Sequence, residues 1–271
     1  MELENRLVEG EWVSAAQLER AREEAAAASN SLWFSLMKLG YLTEEEIMKF
    51  FSCESGIPYV NVSDYRYDAH LLRLMGADFC VQNLVFPLFS VGRRLYVACS
   101  NPFNSSVLDS LARMSGMDVE PLIASADSIR RAQDSYWRFD ERIFEATKYL
   151  TGKKKRLLGV SLSRSSERIP LNVPVSIWPQ GPSFRLSVPG SISASTRDIT
   201  ADGNAICCVA GVFLPPQLAC GLLFNISTGD FKIDGTVANC RIEKSGEYYI
   251  GIQFNNINAQ EKKVLLSLVK T

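Results

Sequence analysis

Two arginines followed by an acid, a hydroxyl and a glycine form the part of this 271-residue sequence best suited to bind a ligand. Arg164 and Arg168 are four residues apart, which places both guanidinium groups on one side of the chain. Such planar, permanently charged groups bind phosphates. Asp198, Thr200 and Gly203 follow in one short segment, where a carboxylate and a hydroxyl suit the N–H edge of a guanine. The pattern predicts a site for a ligand that carries two phosphates and a guanine base.

The composition is that of a globular protein, with 46% apolar residues, 22% charged residues and a net charge of −1. Because there is no overall basic surplus, phosphate recognition must be local, and neither nucleic acid nor an anionic membrane is an expected partner. The acidic start does not resemble a secretory signal, and no run approaches the ~20 apolar residues of a membrane helix. Seven scattered cysteines without a Cys-x-x-Cys pair indicate reduced thiols. We expect a cytoplasmic protein without membrane insertion.

The sequence does not offer the residues that catalysis would need. Its single histidine, His70, is interpreted as a residue on a helix face and not as a metal ligand. A nucleophile with a matching base and acid is absent, as is the Gly-x-x-x-x-Gly-Lys-Ser/Thr loop that holds ATP phosphates. We therefore predict a protein that is not an enzyme and has neither a metal nor a cofactor.

Helices and then a small mixed unit are predicted in the first half. Capping boxes at Ser14 and Thr43 begin two helices, and the apolar pattern around them repeats after 29 residues (from Ser14 to Thr43). Farther on, the expected elements are a strand at 57–62, a helix at 69–75, a hairpin at 85–99, a helix at 105–114, a strand at 119–124 and a helix from 126 to about 150.

Short strands dominate the second half. They are expected at 171–177, 184–188, 192–197, 205–209, 222–226, 231–242 and 248–254, and a final helix follows Asn258. The predicted fold is α+β: an N-terminal helical repeat and a small α/β subdomain, then a six- to seven-stranded antiparallel β-barrel with a terminal helix. The predicted domains are 1–137 and 164–271, joined by a helical and basic linker at 138–163.

The first half resembles a known domain. Leu39–Glu46 and Ser55–Tyr65, with the hairpin followed by Ser100-Asn101-Pro102, are similar to the N-terminal MshEN domain of type II secretion and type IV pilus assembly ATPases. Some members bind cyclic di-GMP through two tandem motifs that begin Arg-Leu-Gly and carry a later glycine. The resemblance implies protein contact within such an apparatus, whereas ATP hydrolysis is not transferred because the phosphate loop is missing.

The motif itself departs from this pattern. The first repeat reads Glu2-Leu3-Glu4 with Glu11 at the later glycine, and the second reads Ser31-Leu32-Trp33 with Gly40 kept. A glutamate repels a phosphate, and a tryptophan blocks close approach of the ligand to the backbone. We expect the first half to keep the fold and to have lost nucleotide binding.

The second half resembles the PilZ domain over residues 164–271. That family binds cyclic di-GMP through Arg-x-x-x-Arg and a later Asp/Asn-x-Ser-x-x-Gly, which implies Arg164, Arg168, Asp198, Thr200 and Gly203 as ligand-binding residues here. Thr200 stands where the serine is usual, and Glu167 can partly neutralise Arg168. Arg197 is not included, because a regular strand points it to the opposite face from Asp198.

Three functional hypotheses follow. In the first, the chain is a cyclic di-GMP receptor and adaptor for a pilus, secretion or motility component, and the ordered segment around Arg164 and Arg168 changes the relative position of the domains or their exposed surface. In the second, both nucleotide sites are degenerate and the chain is a ligand-independent interaction adaptor. In the third, the first half binds nucleotide in a changed mode.

Overall fold

A computed structural model describes residues 2–140, 167–187, 190–226, 229–243 and 245–270. The chain begins with four helices: α1 (Glu2–Glu9), α2 (Ala15–Ala28), α3 (Leu32–Lys38) and α4 (Glu44–Ser55). The predicted capping boxes are confirmed, since Ser14 and Thr43 each accept a hydrogen bond from the third helical N–H and each receives the reciprocal side chain. Gly56 ends α4 in the left-handed conformation.

The hydrogen bonds confirm the predicted repeat. The N–H of Trp12 donates to the carbonyl of Leu7 at 2.8 Å, and 29 residues later the N–H of Tyr41 donates to that of Leu36 at 3.0 Å. The loop residues at the same position in the two units, Glu11 and Gly40, both have positive φ, at 52° and 70°. Glu11 thus occupies a backbone conformation that favours glycine.

The four helices share a small apolar core, in which Leu7, Leu36 and Phe50 are fully buried. The indole of Trp33 packs against it, with ring centroids 5.8 Å from Phe50 and 4.7 Å from Phe51. The tryptophan therefore fills space inside the helical unit.

A three-stranded sheet with four helices forms the next unit. Its strands are β1 (Val85–Val91), β2 (Arg94–Cys99) and β3 (Asp118–Ile123), with β1 antiparallel and β3 parallel to β2. Its helices are α5 (Ala69–Met75), α6 (Ala77–Asn83), α7 (Ser105–Ser115) and α8 (Ala126–Asp140). The hairpin and α5, α7 and α8 were predicted, whereas α6 was not. The predicted extension of α8 to residue 150, and most of the linker at 138–163, lie outside the described residues.

The predicted strand at 57–62 is wrong. Only Tyr59 forms a bridge, parallel to Ile123, and Asn61 then caps a 3-10 helix over Val62–Asp64. The physical reason is that Pro58 has no N–H to donate to a sheet and that the Asn61 side chain bonds the N–H of Ser63 at 3.3 Å.

The second half is a closed antiparallel barrel, which confirms the predicted fold class. Its elements are β4 (Arg168–Pro170), β5 (Pro174–Gln180), β6 (Ile192–Thr200), β7 (Ala205–Ala210), β8 (Ala219–Ile226), β9 (Gly229–Ile242), β10 (Tyr248–Phe254) and the helix α9 (Ala259–Ser267). The strand order is β6-β5-β8-β9-β10-β7, and a pairing between β6 and β7 closes the barrel. The short strand β4 is an additional strand that also pairs with β6. No helix in the described ranges is long and apolar enough to cross a membrane.

The predicted strand at 184–188 is also wrong, because its backbone pairs with the first half instead of the barrel. Leu186 forms an antiparallel bridge with Tyr65, and the N–H of Ser187 donates to the carbonyl of Asp64 at 2.9 Å. Phe184 is buried in the same place, 4.8 Å from the ring of Phe89.

The two halves therefore share one hydrophobic core. The Tyr65 hydroxyl is buried and donates to the carbonyl of Phe213 at 3.0 Å, and the buried cluster runs without a break from Phe86 and Leu88 to Ile250 and Phe254. Buried side chains of both halves thus pack against one another in a single cluster.

Candidate ligand-binding site

A β-bulge in β6 creates the candidate site. Thr196 pairs with Cys208 and Asp198 pairs with Cys207, so Arg197 is an extra residue in β6. An extra residue interrupts the strict alternation of side chains, and both Arg197 and Asp198 line one cavity of about 200 Å³. The expectation that Arg197 faces away from Asp198 is therefore wrong, because it assumed a regular strand.

Arg168 reaches the same cavity from β4. Its partner across the strand pair is Thr200, and Pro170 pairs with Asp198. The Arg168 guanidinium forms an ion pair with the Asp198 carboxylate. Their side chains are 42% and 20% exposed. A pair with this much exposure contributes little to stability, so a ligand phosphate can compete for the arginine at low cost.

A tyrosine holds two more arginines at the cavity. The guanidinium carbon of Arg197 lies 4.3 Å from the ring centroid of Tyr249, and that of Arg241 lies 5.4 Å from it. Tyr249 pairs with Arg241 on β9 and with Val209 on β7. Cation–π contacts of this kind restrain the guanidinium groups, and Arg241 also forms an ion pair with Glu243, with 3.4 Å between its Nε and a carboxylate oxygen.

The floor of the cavity is small and polar. Gly251 faces Asn239, and a Cβ at Gly251 would lie 2.9 Å from the Asn239 amide. A larger residue at position 251 would therefore displace the Asn239 side chain. Cys207 lies beside them, and burial, helped by the charge of Asp198, raises the pKa of its thiol. The described lining therefore carries three guanidinium groups against one carboxylate, which gives an environment for an anion.

The structure does not place Thr200 and Gly203 at this cavity. Thr200 is 5% exposed, and its hydroxyl accepts from the N–H groups of Asn204 at 3.1 Å and Ala205 at 3.0 Å while donating to Asp202 at 2.6 Å. Its hydrogen bonds are thus used within the turn after β6. Gly203 has a φ of 65°, and a Cβ there would lie 3.6 Å from Lys262 of α9. Both residues shape the turn that ends β6.

Of the predicted site residues, Arg168 and Asp198 are brought together, and Arg164 lies outside the described residues. Glu167 contributes through its backbone, whose carbonyl accepts from the N–H of Ala201 at 2.8 Å. The carboxylate that pairs with Arg168 is that of Asp198, whereas the sequence indicated Glu167.

Sequence reasoning missed Arg197, Asn239, Arg241 and Tyr249. A usable signal existed for two of them, since Arg241 and Tyr249 flank the predicted turn at Ser245-Gly246 and a hairpin register places them opposite each other. The bulge at Arg197 has no comparable signal, because it depends on how β6 pairs with β7.

The motif positions of the first half are occupied by other interactions. Glu4 accepts hydrogen bonds from Arg22 at 3.1 and 2.8 Å, and Trp33 packs into the helical core. Among the described residues, no group of three or more histidine, cysteine or acidic side chains could hold a metal ion.

Comparison with family models defines the class of protein. The chain carries an MshEN domain over residues 55–143 followed by a PilZ domain over residues 162–271. This confirms both resemblances, while the predicted boundaries of 1–137 and 164–271 stay a prediction.

Two curated relatives match the chain. It is 30% identical over 131 residues to the type IV pilus assembly ATPase PilB of Myxococcus xanthus (strain DK1622), which is 48% of this chain and 23% of that protein. It is 26% identical over 141 residues to PilB of Acinetobacter baylyi (strain ATCC 33305 / BD413 / ADP1), 50% of this chain and 24% of that protein. About half of this chain therefore matches about a quarter of the length of each relative.

Solved structures of similar proteins were also found. MshE with cdg is 24% identical, covers 49% of this chain and 97% of that one, and has a TM-score of 0.44. The PilZ domain of CeSA from a cellulose-synthesizing bacterium is 14% identical, covers 39% of this chain and 96% of that one, and has a TM-score of 0.28.

Proposed function

We propose that this chain is a non-enzymatic cyclic di-GMP receptor in the cytoplasm, which acts as an adaptor for a pilus, secretion or motility component. The observation that carries the proposal is the convergence of Arg168, Arg197, Arg241 and Asp198 on one cavity of the PilZ domain. The MshEN domain and the likeness to the PilB proteins support an apparatus of the pilus type as the partner.

The chemistry of the cavity fits this ligand. Arg168 and Arg197 bind phosphate oxygens, since a guanidinium offers paired donors to a phosphate. Release of Arg168 frees the Asp198 carboxylate, which accepts hydrogen bonds from the N–H edge of a guanine. Tyr249 contacts the guanidinium groups of both Arg197 and Arg241. Thr200 and Gly203 support the site indirectly, because the turn that they form fixes the end of β6.

The cavity alone is smaller than the ~300 Å³ that most ligand sites reach. We infer that part of the ligand lies outside the cavity and that the Arg164 guanidinium binds its second phosphate. In this scheme the ion pair between Arg168 and Asp198 is the ligand-free state of the site.

The output is a change of surface and not a rotation of domains. The shared core around Tyr65, Phe184 and Phe213 holds the two halves together, which favours the second of the two outputs expected from the sequence. Tyr249 faces the ligand cavity, and the preceding residue, Tyr248, is buried and packs 5.9 Å from Phe213 at the junction. β10 therefore links the ligand to the face shared with the first half.

Calorimetric titration of cyclic di-GMP into the full chain tests the site. The double variant Arg164→Ala/Arg168→Ala should bind at least about tenfold more weakly, because each charged hydrogen bond contributes roughly 1.5–3 kcal/mol. The variant Arg73→Ala, which removes an exposed arginine elsewhere, should bind as the parent does. Undiminished binding by the double variant would contradict the assignment.

The Arg168–Asp198 ion pair also favours a second candidate function, a ligand-independent adaptor in which the two motif residues neutralise each other. The positions of Glu4 and Trp33 extend this argument to the first half. The absence of saturable binding by the parent chain would support the adaptor. Undiminished binding by an Arg168→Ala/Arg197→Ala variant would instead indicate a nucleotide site in the first half.

A further inference from the structure

A second, larger cavity of about 490 Å³ lies where the two halves meet, away from the Arg168 cavity. Arg66 of the first half lines it together with Gln180 at the end of β5 and Arg185 in the segment that follows β5. Pro179, Pro182 and Leu186 add apolar wall. The cavity thus combines two guanidinium groups and an amide with apolar surface.

The two arginines are held directly opposite each other. The antiparallel bridge between Tyr65 and Leu186 makes Arg66 the cross-strand neighbour of Arg185, and the N–H of Arg66 donates to the carbonyl of Arg185 at 2.9 Å. Like charges at directly opposite positions destabilise a strand pair. In the part of the chain that the structure describes, no carboxylate forms an ion pair with either arginine, and none lines the cavity. The two positive charges therefore have no acidic partner at this cavity among the described residues.

The segment beyond β5 is built to hold Arg185 in this place. The Arg185 guanidinium donates to the carbonyls of Gly181 and Phe184, the second at 2.9 Å. A Cβ at Gly181 would lie 3.0 Å from Leu218, so glycine permits the tight path of the chain. Phe184 is buried against the ring of Phe89, which fixes the segment to the shared core.

We propose that this cavity is a second anion site, which binds the phosphate of a small phosphorylated organic molecule. Arg66 and Arg185 bind the phosphate oxygens, Gln180 forms hydrogen bonds with polar groups of the organic part, and Pro179, Pro182 and Leu186 pack against its apolar surface. Because Arg66 belongs to one half and Arg185 to the other, the ligand bridges the two halves and strengthens their junction.

Titration of the full chain with AMP tests the proposal, with adenosine as the matched ligand that lacks the phosphate. Arg66→Gln is the informative variant, because the contacts that anchor Arg185 stay in place. We expect saturable binding of AMP, at least about tenfold weaker binding of AMP by Arg66→Gln, and much weaker binding of adenosine by the parent. AMP should also raise the melting temperature of the parent more than that of the variant.

One further variant separates this site from bulk charge. Arg73→Gln removes an exposed arginine elsewhere and should bind AMP as the parent does. The proposal is overturned if AMP does not bind at concentrations up to about 10 mM, if Arg66→Gln binds it unchanged, or if Arg73→Gln weakens it as much as Arg66→Gln does.

Discussion

The bulge in β6 leads to a specific prediction, which is that Arg197→Ala weakens cyclic di-GMP binding about as much as Arg168→Ala does. Arg197 and Asp198 line one cavity only because Arg197 is an extra residue in the pairing with β7. One charged hydrogen bond to a phosphate contributes roughly 1.5–3 kcal/mol, which corresponds to a factor of about 10–150 in the dissociation constant. Isothermal titration calorimetry of the full chain measures it.

Tyr249 provides an internal check on the reasoning. Its ring lies 4.3 Å from the Arg197 guanidinium carbon, and an exposed cation–π contact contributes roughly 0.5–1 kcal/mol, so Tyr249→Leu should weaken binding about two- to fivefold. In the Arg197→Ala background the same change should cost less, since part of its effect acts through Arg197. Tyr249→Phe, which keeps the ring, should bind close to the parent.

Arg73→Ala serves as the charge control, because its side chain is exposed on α5 away from the cavity. The prediction for Arg197 is contradicted if Arg197→Ala binds cyclic di-GMP as the parent does while Arg168→Ala loses binding. That result would mean that the bulge does not bring the Arg197 side chain to the ligand.

Two predictions concern the frame around the site. Tyr65→Phe removes the buried hydrogen bond to the carbonyl of Phe213 and should lower the free energy of unfolding by about 1–3 kcal/mol in urea, within one transition for both halves. Asp202→Asn should destabilise the protein at neutral pH and have little effect in acid. The reason is that hydrogen bonds, first from the Thr200 hydroxyl and then from the N–H of Asn204, lower the pKa of Asp202 below its ordinary 3.8, so its stabilising effect is present above that pH and lost as the pH falls through the folded pKa.

Exposed residues of the same type supply the controls. Tyr67→Phe, at a residue that is 36% exposed, should change the unfolding free energy far less than Tyr65→Phe, and two separate transitions would contradict a shared core. Asp109→Asn, at an exposed position of α7, should show no comparable pH dependence. A destabilisation by Asp202→Asn that persists unchanged well below pH 3.8 would show that its carboxylate charge is not responsible.

The sequence predicted the parts of the fold that depend on neighbours in the chain. Ser14 and Thr43 cap helices because their side chains bond to N–H groups three residues later, and Gly40 and Gly56 supply the left-handed conformation that a helix end needs. The 29-residue repeat and the β1–β2 hairpin are likewise local.

Other features were decided only by the tertiary structure, because they depend on which strands become neighbours. Arg197 lines the same cavity as Asp198 because β6 pairs with β7 through a bulge, and no residue near it in sequence dictates that pairing. The hydroxyl of Thr200 accepts hydrogen bonds within a turn because Asn204 and Ala205 fold back onto it.

The candidate site around Arg168 likewise has features that follow from the sequence and features that depend on the fold. From residue types and their order, the sequence predicted Arg168 and Asp198 as ligand-binding residues together with Arg164, Thr200 and Gly203. Only the fold set Arg168 against Asp198 across β4 and β6, added Arg197 and Arg241 around Tyr249, and joined the barrel to the first half through Tyr65 and Leu186. The physical reason is that each residue type has its own chemistry, which the sequence states directly. The direction in which a strand side chain points depends instead on backbone pairings between distant segments.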